Sequence, residues 1–156
     1  MKTSPKIRKP RWFHRTTTDR VTMIQGNGLQ INSENNLTLN GDWSFQIYGC
    51  RPIFLATSLE TMYADHAPII FEVDIQELTL VADLPALVDS GAYYDIDDGS
   101  MWFKHGPELL FRDLLDPDTK ECQAAIRKTK TAAYLTNIGP DRLTLIDAAT
   151  ITKRKK

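Results

Sequence analysis

An α+β domain with a mixed β-sheet and short helices is what the sequence predicts, on three observations. The chain has 156 residues, enough for one domain with one core. Strand-like apolar runs recur at 11–16, 51–58, 69–75, 131–136 and 142–146. The helix-like stretches between them are brief, and few connections carry a helix long enough for the crossovers of a doubly wound sheet. Residues 11–150 are therefore expected to form a single domain, with a flexible basic arm at 1–10 and a basic tail at 151–156.

The elements follow in order. Residues 11–16 read as a strand with Trp12 and His14 on one face and Phe13 and Arg15 on the other. Thr17 or Thr18 reads as the N-cap of a short helix whose apolar stripe is Val21 and Ile24, stopped by Gly26-Asn27-Gly28. Residues 30–42 are polar and Asn-rich, a loop with a turn at Asn40-Gly41. The partial alternation of 43–48 suits a short strand or a lid. After the strand at 51–58, Leu59, Met62, Tyr63 and His66 share one helical face, and Pro68 ends that helix. Residues 69–75 give the clearest strand, and 78–83 a further one. Pro85 opens a helical turn that Gly91 stops. Residues 92–99 are acidic and turn-prone. Pro107 is placed to open a short helix carrying Leu109, Leu110, Phe111 and Leu114. A helix is expected around 121–127, then strands at 131–136 and 142–146 flanking a turn at Gly139-Pro140-Asp141.

Charge is unevenly spread. Lysines and arginines crowd residues 2–20 and 153–156, whereas acids dominate 59–122. Basic ends suit phosphate backbones or acidic surfaces, or serve only as solvated tails. Cys50 and Cys122 stand far apart without a C-x-x-C, which fits a reducing compartment. No apolar run has the length of a membrane span and the basic start leads to no apolar leader core, so a soluble cytoplasmic protein without a membrane partner is expected. His14, His66 and His105 are scattered singly, so no metal site is expected.

His14 is the leading candidate for chemistry. An imidazole at a strand end titrates near neutral pH and can orient a ribose hydroxyl, and Arg15 adds a forked cation for phosphate. Thr57 and Ser58 close a strand and supply hydroxyls, for capping or for a ligand. Glu108, near His105, is a candidate acid, base or electrostatic stabiliser, or a complement to a helix dipole. The order of Asp95, Asp97 and Asp98 does not fit a calcium loop.

Several pieces together resemble the ADP-ribosyltransferase-like superfamily, including its tRNA 2′-phosphotransferase and DNA-modifying branches. They are Phe13-His14-Arg15-Thr16 on an early strand and Gly28-Leu29 closing a short helix. Arg51-Pro52-Ile53-Phe54-Leu55-Ala56-Thr57 follows, then Ile70-Phe71-Glu72-Val73-Asp74, and late in the chain Ile138-Gly139-Pro140-Asp141-Arg142-Leu143. The resemblance covers residues 12–146. It implies a split mixed sheet whose cleft binds NAD, with His14 on a ribose and Arg15, Thr16 and Thr57 lining the cleft. It also implies transfer of ADP-ribose to a protein or nucleic-acid target. The family's late-strand catalytic Glu has no counterpart in residues 131–135, so that either Glu108 or an Asp of 95–98 substitutes, with His14 and Glu108 the catalytic candidates, or the reaction differs, or the protein binds without catalysing. A non-catalytic binding or inhibitor module on the same fold is the alternative, with nucleic-acid binding through the basic ends a third.

Overall fold

The structure, a computed structural model, describes residues 11–31, 41–58 and 68–146. The chain opens with β1 (Trp12–Thr16), a 3-10 turn (Thr18–Arg20), α1 (Val21–Asn27) and α2 (Gly41–Tyr48). There follow β2 (Ile53–Ala56), β3 (Ile69–Val73), β4 (Val81–Ala82), α3 (Leu84–Asp89), β5 (Ala92–Asp95), β6 (Ser100–Phe103) and β7 (Glu108–Leu110). The last part holds α4 (Phe111–Leu114), α5 (Lys120–Thr129), β8 (Thr131–Tyr134), a second 3-10 turn (Pro140–Arg142) and β9 (Leu143–Ile146). Six strands form one sheet in the order β4-β8-β2-β1-β3-β9, and β5-β6-β7 form a separate three-stranded sheet.

The fold is α+β, as the interleaved short elements predict. Its sheets are antiparallel in every described pairing, which corrects the expected mixed sheet. Hydropathy spacing finds strands but carries no information on their direction, which is set by the edge to which each connection returns.

The large sheet is covered on both faces. Trp12, Leu55, Phe71, Val73 and Ala132 point to one apolar layer, closed by Ile24 of α1, Leu29 and Ile138. Ala133 and Val81 point to the other, with Leu84, Leu87, Met101, Leu114 and Cys122 from the helices and the small sheet. Ala132 and Ala133 are adjacent and both fully buried, in opposite layers. This is the mark of a strand in the middle of a sheet packed on two sides. Cys50 and Cys122 are free and buried, and desolvation pushes both thiols up.

Two caps fix the helices against the sheet. Asp83 is the N-cap of α3, its carboxylate accepting from Ala86 N at 3.0 Å, with Pro85 in the first turn. Thr119 caps α5 through Cys122 N at 3.1 Å. The expected cap before α1 is not made. Thr17 precedes the 3-10 turn without a side-chain capping bond, and Arg20 leads into the helix itself.

Three further expectations are corrected. Residues 43–48 lie in helix α2, not in a strand. The Tyr48 hydroxyl donates to Ala82 O at 2.6 Å and accepts from Leu84 N at 2.8 Å, and Gly49 at φ 78° closes the helix by donating to Phe45 O. A buried tertiary anchor here outweighs weak local alternation. Residues 108–110 are strand β7 rather than a first helical turn, because the β6 edge pairs with them; the helix begins only at Phe111. The strand expected over 78–83 is reduced to Val81–Ala82, since a turn from Leu78 N to Ile75 O occupies its start. The helix expected from Leu59 to His66 lies outside the described residues, as do the arm, residues 32–40 of the Asn-rich loop and the tail, whereas Gly41 and Asp42, expected in that loop, open α2.

Tyr48→Phe should cost about 2–3 kcal/mol, because a buried carbonyl and a buried N–H both lose their partner. Urea unfolding at constant m-value measures it; a loss under about 0.5 kcal/mol would mean that the hydroxyl does not bridge β4 and α3.

Candidate functional site

The candidate site is the seam where β1 meets β2. β1 pairs with β3 along its whole length, from Trp12 opposite Val73 to Thr16 opposite Ile69. β2 pairs with β8 along its whole length, from Ile53 opposite Tyr134 to Ala56 opposite Thr131. Between β1 and β2 the register holds a single pair, Phe13 opposite Ala56. The six-stranded sheet thus consists of two well-laddered halves joined at one point.

His14 links the two halves next to that point. Its Nδ1 lies 3.0 Å from Phe54 O. A carbonyl oxygen only accepts, so Nδ1 carries the proton and donates. In the neutral ring Nε2 is then the acceptor. A side chain thereby satisfies a β2 carbonyl where a regular ladder would use a backbone N–H. His14 is half-buried, and burial is the main reason its pKa is lowered. The Phe54 bond opposes that shift, and the nearby positive charge of Arg20 adds to it. Burial and Arg20 together outweigh the Phe54 bond and favour a neutral imidazole at physiological pH.

The other sequence-predicted residues spread around the seam. Thr16 is buried at the end of β1, on the same face as His14 by alternation. Arg15 points to the opposite face, opposite Ile70, and desolvation lowers its pKa. Thr57 follows β2, and both its N–H and its hydroxyl donate to Lys130 O, at 2.9 and 3.1 Å. The hydroxyl oxygen keeps acceptor capacity but is not a loose donor. Glu108 stands exposed on β7, opposite Trp102 in the small sheet. The two catalytic candidates, His14 and Glu108, thus stand on different sheets.

Arg20 is the residue that sequence reasoning missed. It follows β1 by four residues in a tight 3-10 turn, and its charge reaches the imidazole. The compactness of that turn was the signal, but a Thr-rich cap masked it. No carboxylate lies on the strands that form the seam, since β1 is WFHRT, β2 is IFLA and β8 is TAAY. Glu72 on β3 is engaged by Arg11, through Nε at 2.8 Å and Nη2 at 2.7 Å. No group of three or more metal-ligating side chains occurs among the described residues, and no described helix is long and apolar enough to cross a membrane.

No family model, no curated protein and no solved structure matches the chain.

Proposed function

We propose that the chain binds NAD at the β1/β2 seam and acts as an ADP-ribosyltransferase-like protein on a macromolecular target. One observation carries the reading: His14 bridges the seam with its Nδ1 committed to Phe54 O. The donor set suits a dinucleotide. A neutral imidazole offers one acceptor nitrogen to a ribose hydroxyl. The guanidinium of Arg20 lies within electrostatic reach of that ring and offers charge to a pyrophosphate, as does Arg15 if the ligand reaches its face of β1. Thr16 and Thr57 close the strand ends beside it.

NAD brings a ribose–nicotinamide bond whose cleavage places positive charge on the sugar. In this reading His14 fixes the sugar, and its low pKa keeps the ring uncharged next to that developing cation. The missing seam carboxylate favours a second reading, a binding module that holds the nucleotide without turning it over.

Isothermal titration with NAD tests the proposal. Binding should weaken roughly tenfold in His14→Ala, the loss of about one hydrogen bond. No heat from the wild type at millimolar NAD would remove the proposal. Binding accompanied by release of nicotinamide would support the transferase reading, and binding without release would support the binding module.

A further inference from the structure

The small sheet has one face covered by the helices, and on the other it leaves Tyr93, Trp102 and Glu108 exposed. Met101, Phe103 and Leu109 turn toward the helices, and Lys128 of α5 sits over the Phe103 ring at 4.3 Å. The neighbours of these residues alternate outward. Tyr93, Trp102 and Glu108 then fall in one row across β5, β6 and β7, each opposite the next. Tyr93 is 53% exposed and Trp102 36%, and their rings stack at 6.2 Å between centroids. Asp95 flanks the row on the same face of β5, and Asp97 and Asp98 stand exposed in the adjoining turn. The neighbourhood is strongly acidic, with Lys104 the nearest base in sequence.

The protein shows elsewhere what such a row holds. On β1 and β3, Phe13 stands opposite Glu72, an aromatic ring beside a carboxylate across a strand pair. Arg11 occupies that pair, its guanidinium forked onto Glu72 at 2.7 and 2.8 Å and 5.2 Å from the Phe13 centroid. Trp102 opposite Glu108 repeats the arrangement with a better cation-binding ring and a second ring beside it. Among the described residues no cation lies over Trp102 or pairs with Glu108.

We infer that the Tyr93–Trp102–Glu108 row is a docking site for an arginine side chain of a partner protein, the guanidinium lying on the indole and forking onto the carboxylate. Planar, weakly hydrated guanidinium suits this arrangement better than ammonium does. Asp95 and Asp97 supply further negative charge, so the arginine belongs to a basic segment. The site is separate from the NAD seam, and neither reading depends on the other.

Titration of the full chain with a hexa-arginine peptide, followed by calorimetry and by the Trp102 indole N–H signal, tests the inference. Hexa-arginine should shift that signal and bind at least about fivefold more tightly than hexalysine. Trp102→Ser and Glu108→Gln should each weaken it by about fivefold or more, while Trp102→Ser leaves NAD titration at wild-type values. Equal affinity for the two peptides, or equal affinity in both variants, would overturn it in favour of general attraction to acidic surface. Burial of Trp102 in a dimer formed without peptide would also overturn it, assigning the row to a second copy of the chain.

Discussion

Gly28→Ala is expected to lose about 3 kcal/mol or more, the largest effect of any single methyl group in the described residues. Gly28 has φ 79° and ψ −170°, a region that only glycine enters readily. A Cβ there would lie 2.0 Å from Ile138 O. That oxygen is not free to move: Leu29 N donates to it at 2.8 Å, and Ile138 N donates back to Leu29 O at 2.9 Å. This bridge closes the apolar layer beneath β1, with Leu29 and Ile138 both buried in it. Gly26, two residues earlier on the exposed part of α1, is the internal control. A Cβ at Gly26 meets nothing within 4 Å, so Gly26→Ala should be neutral or stabilising by up to about 1 kcal/mol. Urea midpoints for the two variants measure the contrast. Equal midpoints would mean that the chain does not pass Ile138 as closely as described.

Asp83→Asn is expected to reshape the dependence of stability on pH. Burial pushes the Asp83 carboxyl from 3.8 up to about 6, partly offset by its bonds from Ala86 N and Thr131. The folded state therefore binds a proton more tightly than the unfolded chain does. Stability falls as pH rises from about 4 to 6, by an amount bounded near 3 kcal/mol, and the penalty is complete above that window. Asparagine keeps an oxygen for the α3 cap without the charge. The variant should be more stable than wild type at pH 8, by roughly 1–3 kcal/mol, with the two converging near pH 4. His14 acts with the opposite sign. Its lowered pKa means that stability falls as pH drops below 6.5, so the Asp83→Asn profile should keep only this acid-side loss. An Asp83→Asn protein less stable than wild type at pH 8 would show that the ionised carboxylate holds α3 by its charge and that this outweighs its burial.

The contrast between these residues shows what the sequence displays and what it hides. The apolar runs at 69–73 and 131–134 and the proline at 85 make β3, β8 and α3 legible, because each is written in neighbouring residues. Gly28 reads correctly as a helix stop, but its close approach to Ile138 joins positions far apart in the chain and leaves no local trace. The same holds for α2, fixed by a hydroxyl bridge to β4, and for β7, fixed by its pairing with β6. His14 is legible as a candidate because an imidazole between an aromatic and an arginine is uncommon chemistry on a strand. Arg20 is not, since only the tight turn brings its charge back to the ring. Glu108 reads as a residue at a helix start, whereas its place opposite Trp102 could not be seen without the hairpin register.

His14 spans the β1/β2 seam with Nδ1 on Phe54 O, and in the proposed reading its Nε2 accepts from a ribose hydroxyl of NAD. Nitrogen-15 correlation spectra of the His14 ring at neutral pH, with and without NAD, test it most directly. The expected spectrum is a neutral ring protonated on Nδ1, with the Nε2 resonance moving as NAD is added and the Nδ1 resonance holding. A ring protonated on Nε2, or an Nε2 resonance unmoved at millimolar NAD, would contradict it.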